Sequence, residues 1–485
     1  MNTPIRRLAA IVLVLFGTLL LSTTYIQFVQ AASLRDQPNN RRTLLENYAR
    51  ERGPILVNGK AIAQSVPSDD ELKYRRRYSD ADLYAHLTGY YSFVYGAGGG
   101  LERTEDALLS GSSDQLFYRR MVDLVTGRQP EGASVELTID PAAQEAAAEG
   151  LGDQKGAVVA LDPRTGAILA LVSSPTYDPN RLAGHDVNRV QDAYKALNAD
   201  DDDPLVDRAI TGDLYPPGST FKIVTAAAAL SSGKYDEDSQ VYGGARLDLP
   251  QTTADLPNDF SGACGSGNRV DLTRALQISC NTAFGSLGLT LGGDALREQA
   301  AKFGFGDRLN VPMPVTPSTV PAGMNPPQSA QAAIGQYDVR VTPLQMAMVS
   351  AGIANKGVVM SPYAVKTVRS PDLDVLEQGR PQELSQAVSA DVAAQLTRMM
   401  EKVVSDGTGT RAQIPGISVA GKTGTAQQGK GQPPHAWFTA FAPADDPQIA
   451  IAVVVEDGGR AGNAAAGGRV AAPIAKSVME AVLNR

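Results

Sequence analysis

Several features that would indicate other classes of protein are missing from this chain of 485 residues. Lysine and arginine form no dense run and the net charge is −8, so nucleic acid, with its phosphate backbone, is not an expected partner. The three histidines, His86, His185 and His435, are isolated from one another in sequence, which argues against a metalloenzyme. The motif G-x-S-x-G does not occur, which argues against an α/β-hydrolase.

Charged residues are also absent from Leu8 to Leu34, a run of 27 residues near the N-terminus. About 20 apolar residues suffice to cross a bilayer. Arg6 and Arg7 on the short leading side predict a cytoplasmic start and an exported remainder. A cleaved signal peptide is the alternative, because Val29-Gln30-Ala31 could be a cleavage site. We expect an uncleaved transmembrane anchor within residues 1–34.

Cysteine occurs only twice, at Cys264 and Cys280. Two cysteines in an exported chain are compatible with one disulfide, which would close a loop of about 16 residues and contribute about 3 kcal/mol. Two buried free thiols are the alternative, because the sequence does not show whether the two Cα atoms approach closely enough. We expect the disulfide.

The rest of the chain changes character along its length, without internal repeats. Residues 35–148 are polar, rich in arginine and poor in apolar periodicity, which predicts a non-catalytic pedestal. In residues 149–485, GAVVALD and AILALVSS are separated by PRTG, a pattern that predicts an antiparallel hairpin. Strand-like runs recur in ISVAGKTGTAQ and IAIAVVVED, before a closing helix. Helical patterns between them cover Phe221–Leu230, Leu272–Leu287, Thr342–Ala354 and Ser389–Val404. Strands at both ends with helices between them predict an α+β domain.

Three polar motifs interrupt these apolar patterns, and the first contains Ser219 and Lys222. The two residues lie three apart on the first turn of an apolar helix, and so on one face. A serine becomes a good nucleophile when a base takes its proton. A lysine can be that base only if burial or a second cation lowers its pKa. An N-capping serine followed by an ordinary surface lysine is the commoner alternative for this motif alone.

The second motif is the pair Ser279 and Asn281 within ISCNTAF. Two residues apart in an extended loop, their side chains would point the same way. The hydroxyl could relay a proton and the amide could hold a peptide group. A polar turn between helices is the alternative if the motif stands alone.

The third motif is the strand-like run VAGKTGTAQ, with Lys422, Thr423, Gly424 and Thr425. Glycine leaves the backbone bare, so that an extended peptide could add along the strand. The lysine and the hydroxyls would hold the carboxylate of that peptide. A strand with a β-bulge is the alternative.

Together, S-x-x-K, S-x-N and K-T-G follow one another in this order, separated by about 60 and about 140 residues. The set resembles the signature of penicillin-binding proteins and related β-lactamases. Matching segments such as LVDRAITGDLYPPGSTFK and AIGQYDVRVTPLQMA extend the resemblance to nearly the whole chain. The chain is similar to class B penicillin-binding proteins, the D,D-transpeptidases of peptidoglycan, and most of all to the actinobacterial penicillin-binding protein A group. Asp207, where Asn is common, and Tyr337, where many members have Gly, depart from the family pattern outside the three motifs.

The resemblance implies the penicillin-binding and β-lactamase-like fold, an antiparallel sheet with helices on both faces and a helical lobe, on an extended pedestal. It implies that Ser219 attacks the penultimate D-Ala of a stem peptide and that Lys222 accepts its proton. Ser279 would pass a proton to the leaving D-Ala, Asn281 would hold the substrate backbone, and Lys422 would support the relay and keep Lys222 from protonating.

The family pattern assigns the remaining motif residues to substrate binding. Thr423 and Thr425 would bind the terminal carboxylate, with Gly424 between them in the strand. The backbone N–H groups of Ser219 and Thr425 would stabilise the oxyanion.

The resemblance also implies stem peptides as substrates and β-lactams as acylating inhibitors, and no cofactor or metal. The pedestal is too small for a glycosyltransferase domain, so glycan polymerisation is expected from an integral-membrane glycosyltransferase partner. A β-lactam-hydrolysing or sensing protein of the same fold and a non-catalytic division scaffold are the alternatives. Acyl-enzyme lifetime and complementation by Ser219→Ala distinguish them.

Overall fold

The structure is a computed structural model and describes residues 3–30, 48–129, 131–429 and 431–484. The described α-helices are α1 Thr3–Thr24, α2 Ala81–Thr88, α3 Gly100–Thr104, α4 Asp106–Leu109, α5 Phe117–Thr126, α6 Pro141–Leu151, α7 Val187–Asn198, α8 Lys222–Ser231, α9 Leu272–Gln277, α10 Asn281–Leu291, α11 Gly293–Lys302, α12 Pro326–Ala332, α13 Pro343–Ala354, α14 Ala390–Asp406 and α15 Gly467–Leu483. The described strands are β1 Ile55–Val57, β2 Lys60–Pro67, β3 Tyr74–Tyr78, β4 Tyr90–Ser92, β5 Gly96–Gly98, β6 Ser134–Leu137, β7 Gly156–Leu161, β8 Ile168–Ser174, β9 Gln240–Tyr242, β10 Arg246–Asp248, β11 Asp255–Pro257, β12 Arg269–Asp271, β13 Val358–Met360, β14 Val365–Arg369, β15 Val375–Gln378, β16 Glu383–Gln386, β17 Ala420–Ala426, β18 His435–Ala442 and β19 Ile449–Val455.

The uncharged N-terminal run forms a helix. Helix α1 continues through a π-helical turn, and the combined segment Thr3–Val29 is long and apolar enough to cross a membrane. No residue of this segment is buried against the rest of the protein. This is consistent with a single-pass anchor. The last residues of the predicted anchor, 31–34, and the first of the predicted pedestal, 35–47, lie outside the described residues.

The N-terminal region contains a sheet of six strands, in the order β15-β14-β6-β1-β2-β3, although its sequence is poor in apolar periodicity. Strands β14 and β15 come from more than 200 residues further along the chain, so no local pattern reveals the sheet. A buried ionic cluster lies beside its edge strand β3, where Arg52 and Arg76 each donate to the Glu102 carboxylate at 2.6 Å. The opposite charges lower the pKa of Glu102 despite its burial.

The C-terminal sheet is antiparallel, with strand order β17-β18-β19-β7-β8. Strands β18 and β19 are buried along their whole lengths, because helices cover both faces. Helix α13 packs on one face, whereas α6 and α15 pack on the other. The α+β prediction and the predicted hairpin of β7 and β8 are confirmed.

A lobe of helices adjoins this sheet, and here two details differ from the prediction. The helix expected over Leu272–Leu287 is two helices, α9 and α10, broken at Ser279. Ser279 has a φ of +61°, in the left-handed region, so the S-x-N motif forms a tight turn and not the extended loop that we expected. Strand β18 was not predicted, because its mostly apolar sequence, HAWFTAFA, lacks the polar–apolar alternation of a half-buried strand.

Candidate active site

The serine of the first motif lies on a short 3₁₀ turn, Gly218–Phe221, that leads into α8 and is pressed against β17. Gly218 has a φ of +53°, and a Cβ added there would lie 2.9 Å from the carbonyl oxygen of Thr425. A Cβ added to Gly424 would lie 3.0 Å from Cγ2 of Thr220. Glycine at these two positions therefore allows the turn and the strand to approach each other closely.

Ser219 lines a cleft of about 410 Å³, together with Ser279, Thr423 and Thr425. The Ser219 side chain is mostly buried, with 6% of its surface exposed. Within the described residues its hydroxyl makes no hydrogen bond that would hold it away from a ligand in the cleft.

Lys222 is fully buried beneath the cleft. Its Nζ donates to Oδ1 of Asn281 at 2.6 Å, to the carbonyl oxygen of Ser279 at 2.8 Å and to Oγ of Ser279 at 3.2 Å. Burial lowers the pKa of Lys222 to about 7, while the nearby Asp259 carboxylate acts in the opposite direction. A large share of Lys222 is therefore unprotonated near neutral pH, as a general base requires.

Lys422 approaches from β17 and is also fully buried. Its Nζ donates to Oγ of Ser279 at 3.0 Å and to the carbonyl oxygen of Thr423 at 2.8 Å. Burial, and then repulsion by Lys222, lower the pKa of Lys422 well below its usual value. Two amino groups thus contact one hydroxyl, and protonation of either amine disfavours protonation of the other.

The S-x-N turn is held from two sides. Nδ2 of Asn281 donates to Oδ1 of Asp259 at 3.1 Å, opposite the contact between its Oδ1 and Lys222. Cys280, between the two motif residues, forms a disulfide with Cys264. The cross-link and the amide contacts fix the turn that carries Ser279.

The structure brings the predicted catalytic residues, Ser219, Lys222, Ser279, Asn281 and Lys422, and the predicted substrate-binding residues Thr423 and Thr425 to one place. Gly424 contributes close packing and no side chain. Residues that we did not predict line the same cleft: Asp259, Phe260, Thr408, Arg411 and Arg469. The hydroxyls of Thr408 and Thr423 are 2.6 Å apart. Within the described ranges, no group of three or more His, Cys, Asp or Glu side chains could hold a metal ion.

The two departures from the family pattern have structural correlates. Tyr337 has a φ of +58°, a region that glycine adopts without strain, which explains why many members have Gly there. Oδ1 of Asp207 accepts from the backbone N–H of Ala209 at 3.0 Å, whereas its buried Oδ2 has no hydrogen-bond partner among the described residues. Burial raises the pKa of Asp207 to about 7, so the neutral amide of Asn suits the same position.

Comparison with known proteins agrees with this geometry. Residues 156–480 match the family model of the penicillin binding protein transpeptidase domain. Residues 52–135 match that of the penicillin binding protein A dimerisation domain. The chain is 45% identical to the peptidoglycan D,D-transpeptidase PbpA of Mycolicibacterium smegmatis, with 100% of this chain and 99% of the relative covered. The corresponding protein of Mycobacterium tuberculosis strain H37Rv is 44% identical over the same shares.

Solved structures of penicillin-binding protein A are also similar to this chain. The ceftriaxone acyl-enzyme complex of penicillin-binding protein A from M. tuberculosis matches with a TM-score of 0.86 at 43% identity, covering 90% of this chain and 100% of that one. The penicillin G acyl-enzyme complex matches with a TM-score of 0.84 at 43% identity, with the same coverage. The fold and the site define a serine-type acyltransferase, in which Ser219 and Ser279 line one cleft and two buried lysines contact Ser279. The chain belongs to the penicillin-binding protein transpeptidases.

Proposed function

We propose that this chain is a peptidoglycan D,D-transpeptidase, which cross-links stem peptides through an acyl-enzyme on Ser219 and is acylated there by β-lactams. The observation that carries the proposal is the convergence of the Lys222 and Lys422 amino groups on Oγ of Ser279, in the wall of the Ser219 cleft. This arrangement supplies a nucleophile, a base and a proton relay without a further group.

In the first half of the reaction, Oγ of Ser219 attacks the carbonyl carbon of the penultimate D-Ala, and its proton passes to the unprotonated Nζ of Lys222. The backbone N–H groups of Ser219 and Thr425 stabilise the oxyanion. Collapse of the tetrahedral intermediate breaks the peptide bond. The terminal D-Ala leaves as an amine after receiving a proton through Ser279, whose hydroxyl contacts both lysines.

In the second half, an amine of a neighbouring stem peptide attacks the ester carbonyl, and its proton returns through the same relay. A new amide forms and Ser219 is released. Thr423 and Thr425 bind the carboxylate of the donor, and Asn281 holds its backbone. The Lys222 contact and the Asp259 contact fix the orientation of the Asn281 amide for that role.

A β-lactam-hydrolysing enzyme would need a base that activates water on the acyl-enzyme. Among the described residues that line the cleft, Asp259 is the one carboxylate, and it accepts a hydrogen bond from Asn281. This favours a long-lived acyl-enzyme with β-lactams, as a synthase requires.

The experiment treats the purified full-length protein with a fluorescent penicillin and maps the modified peptide by mass spectrometry. Labelling at Ser219 is expected, with loss of labelling in Ser219→Ala. Ser231→Ala, at the exposed end of the same helix, is the matched control and should label normally. A donor peptide and an amine acceptor should then give a new amide with release of D-Ala. Labelling of another residue, or rapid hydrolysis of the acyl-enzyme, would refute the proposal.

The division of the chain is also a proposal: an anchor in residues 1–34 with a cytoplasmic N-terminus, a pedestal in residues 35–148 and an exported transpeptidase domain in residues 149–485. The two family matches, to residues 52–135 and 156–480, support it. Helix α6, Pro141–Leu151, packs on α15, so we move the boundary to just before α6, because a boundary at residue 148 would divide this helix. An integral-membrane glycosyltransferase would supply the glycan strands, because the pedestal is a small sheet with short helices.

A further inference from the structure

Exposed apolar side chains are concentrated at one end of the N-terminal region. Tyr118 and Val125 on helix α5 are 85% and 83% exposed, in a protein whose other large apolar side chains outside the anchor are mostly buried. We call this set of side chains the apolar end face. Its members are Phe117, Tyr118, Met121, Val122 and Val125 of α5, with Leu373 and Val375 beside the turn between β14 and β15.

The helix and the turn are joined by one arginine. The guanidinium of Arg119 forms ion pairs with Asp372 in the turn and with Glu131. On α5, the exposed residues recur at spacings of three to five, which places them along one side. The side chain of Asp123, on the other side, is buried. Helix α5 therefore lies against the domain with its polar side and presents its apolar side outwards.

The segment arriving from the N-terminal helix enters the folded region beside this face. The carbonyl oxygen of Glu51 accepts from the N–H of Gly132 at 3.0 Å, and Glu51, Glu131 and Leu373 line one small cavity. Residues 31–47 separate this point from the described end of the apolar N-terminal segment. A segment of that length spans at most about 60 Å. A membrane that holds Thr3–Val29 is thus within reach of the apolar end face.

We propose that the apolar end face rests on the lipid surface of the membrane in which the chain is anchored. Aromatic and aliphatic side chains on one side of a short helix suit the boundary between headgroups and acyl chains. Two exposed arginines flank the face, Arg128 after α5 and Arg369 before the turn, and they suit anionic headgroups. Residues 31–47 connect the face to the membrane-anchored segment and so raise the effective concentration of the lipid surface near it. A weak interaction between the face and the lipid is therefore enough for binding.

The position of the face favours lipid over a second copy of the chain. The face lies where the chain arrives from the N-terminal helix, and so at the end of the pedestal that the tether brings to the bilayer. Contact there would restrict the tilt of the pedestal and the height of the Ser219 cleft above the membrane. The inference does not depend on the proposed reaction.

The test uses the full-length protein in phospholipid vesicles. The chain has a single tryptophan, Trp437, which is fully buried, so Tyr118→Trp adds a distinct reporter. Vesicles with brominated acyl chains should remove about half or more of the added fluorescence, as for a side chain at the acyl boundary. Val187→Trp, at an exposed apolar position outside the face, is the matched control and should keep its signal. An unquenched Y118W signal in protein that floats with the vesicles would overturn the proposal.

Cross-linking tests the alternative, in which a second copy of the chain covers the apolar end face. Both cysteines of the chain are paired with each other, so Val125→Cys would introduce one free thiol. If lipid covers the face, this variant stays monomeric under mild oxidation in vesicles. Efficient disulfide-linked dimers would assign the face to a second copy and refute lipid contact. Circular dichroism of both variants establishes that they are folded.

Discussion

Gly335 lies directly against the backbone of Gly218, the residue before the proposed nucleophile Ser219. The N–H of Gly218 donates to the carbonyl oxygen of Gly335 at 3.0 Å. Gly335 has a φ of +73°, and a Cβ added there would lie 2.0 Å from the carbonyl oxygen of Gly218. The loop before Tyr337 thus holds the turn that carries Ser219, although it contributes no side chain to the chemistry.

Gly335→Ala should therefore displace the turn that carries Ser219. We expect acylation by a β-lactam to fall by about two orders of magnitude or more, because an error of about 1 Å in the nucleophile has that effect. We also expect a loss of stability on the order of 3 kcal/mol from the clash and the strained φ. Acylation kinetics and denaturant unfolding measure the two effects.

Gly233→Ala is the matched control for that substitution. Gly233 has a φ of +71°, but nothing lies within 4 Å of an added Cβ. It should cost about 1 kcal/mol from strain alone and leave acylation unchanged. Equal effects of the two substitutions on acylation would show that the contact with Gly218 is unimportant.

The convergence of the three motifs was predictable from the sequence, because each has its own local chemistry and their order resembles a known family. The sequence did not predict that Asp259, Arg411 and Arg469 line the cleft, because these residues reach it only through the tertiary fold.

The missed elements of the fold have physical reasons of the same kind. Strand β18 is mostly apolar and lacks a regular polar–apolar alternation, because helices cover both faces of its sheet. The break between α9 and α10 occurs at Ser279, which has no glycine or proline to mark it. The N-terminal sheet is completed by β14, which pairs with β6, and by β15, which pairs with β14. The pairing of β14 with β6 is a long-range contact that local periodicity does not show.

Acylation should depend on pH through Lys222. The amine must be unprotonated to accept the Ser219 proton, and its pKa is lowered to about 7. Below that pH the protonated fraction rises, so the acylation rate constant should fall about tenfold per unit at lower pH. Stopped-flow acylation by a chromogenic β-lactam across this pH range measures the rate constant.

Lys222→Arg should abolish acylation while the fold persists, because a guanidinium stays protonated. Near-normal labelling of K222R would refute the role of Lys222 as base.

Asp259 should set the pH below which the acylation rate constant falls, here called the acid limb of the pH profile. Its carboxylate raises the pKa of both buried lysines, in opposition to burial. Asp259→Asn removes the charge and keeps an oxygen that can accept from Asn281. The acid limb should then move to lower pH, and the shift should be larger at low ionic strength. Asp255→Asn, on nearby strand β11, is the matched control and should leave the profile in place. A limb that moves equally in both variants would contradict a specific effect of Asp259.

Asp207 should make the folded protein less stable as pH rises. The pKa of its carboxyl is about 7 in the folded state and 3.8 for an unperturbed aspartate, which stands for the unfolded state. Between these pH values the folded state therefore binds more protons than the unfolded state. The free energy of unfolding must then decrease as pH increases through this window, with a sum of a few kcal/mol at about 1.4 kcal/mol per pKa unit. Asp207→Asn cannot ionise and should lack that loss, so it should be the more stable protein above pH 7. Urea unfolding at pH values across the window, with the exposed Asp192→Asn as control, gives the difference. Parallel pH curves for D207N and the unsubstituted protein would show that Asp207 does not titrate in the fold as described.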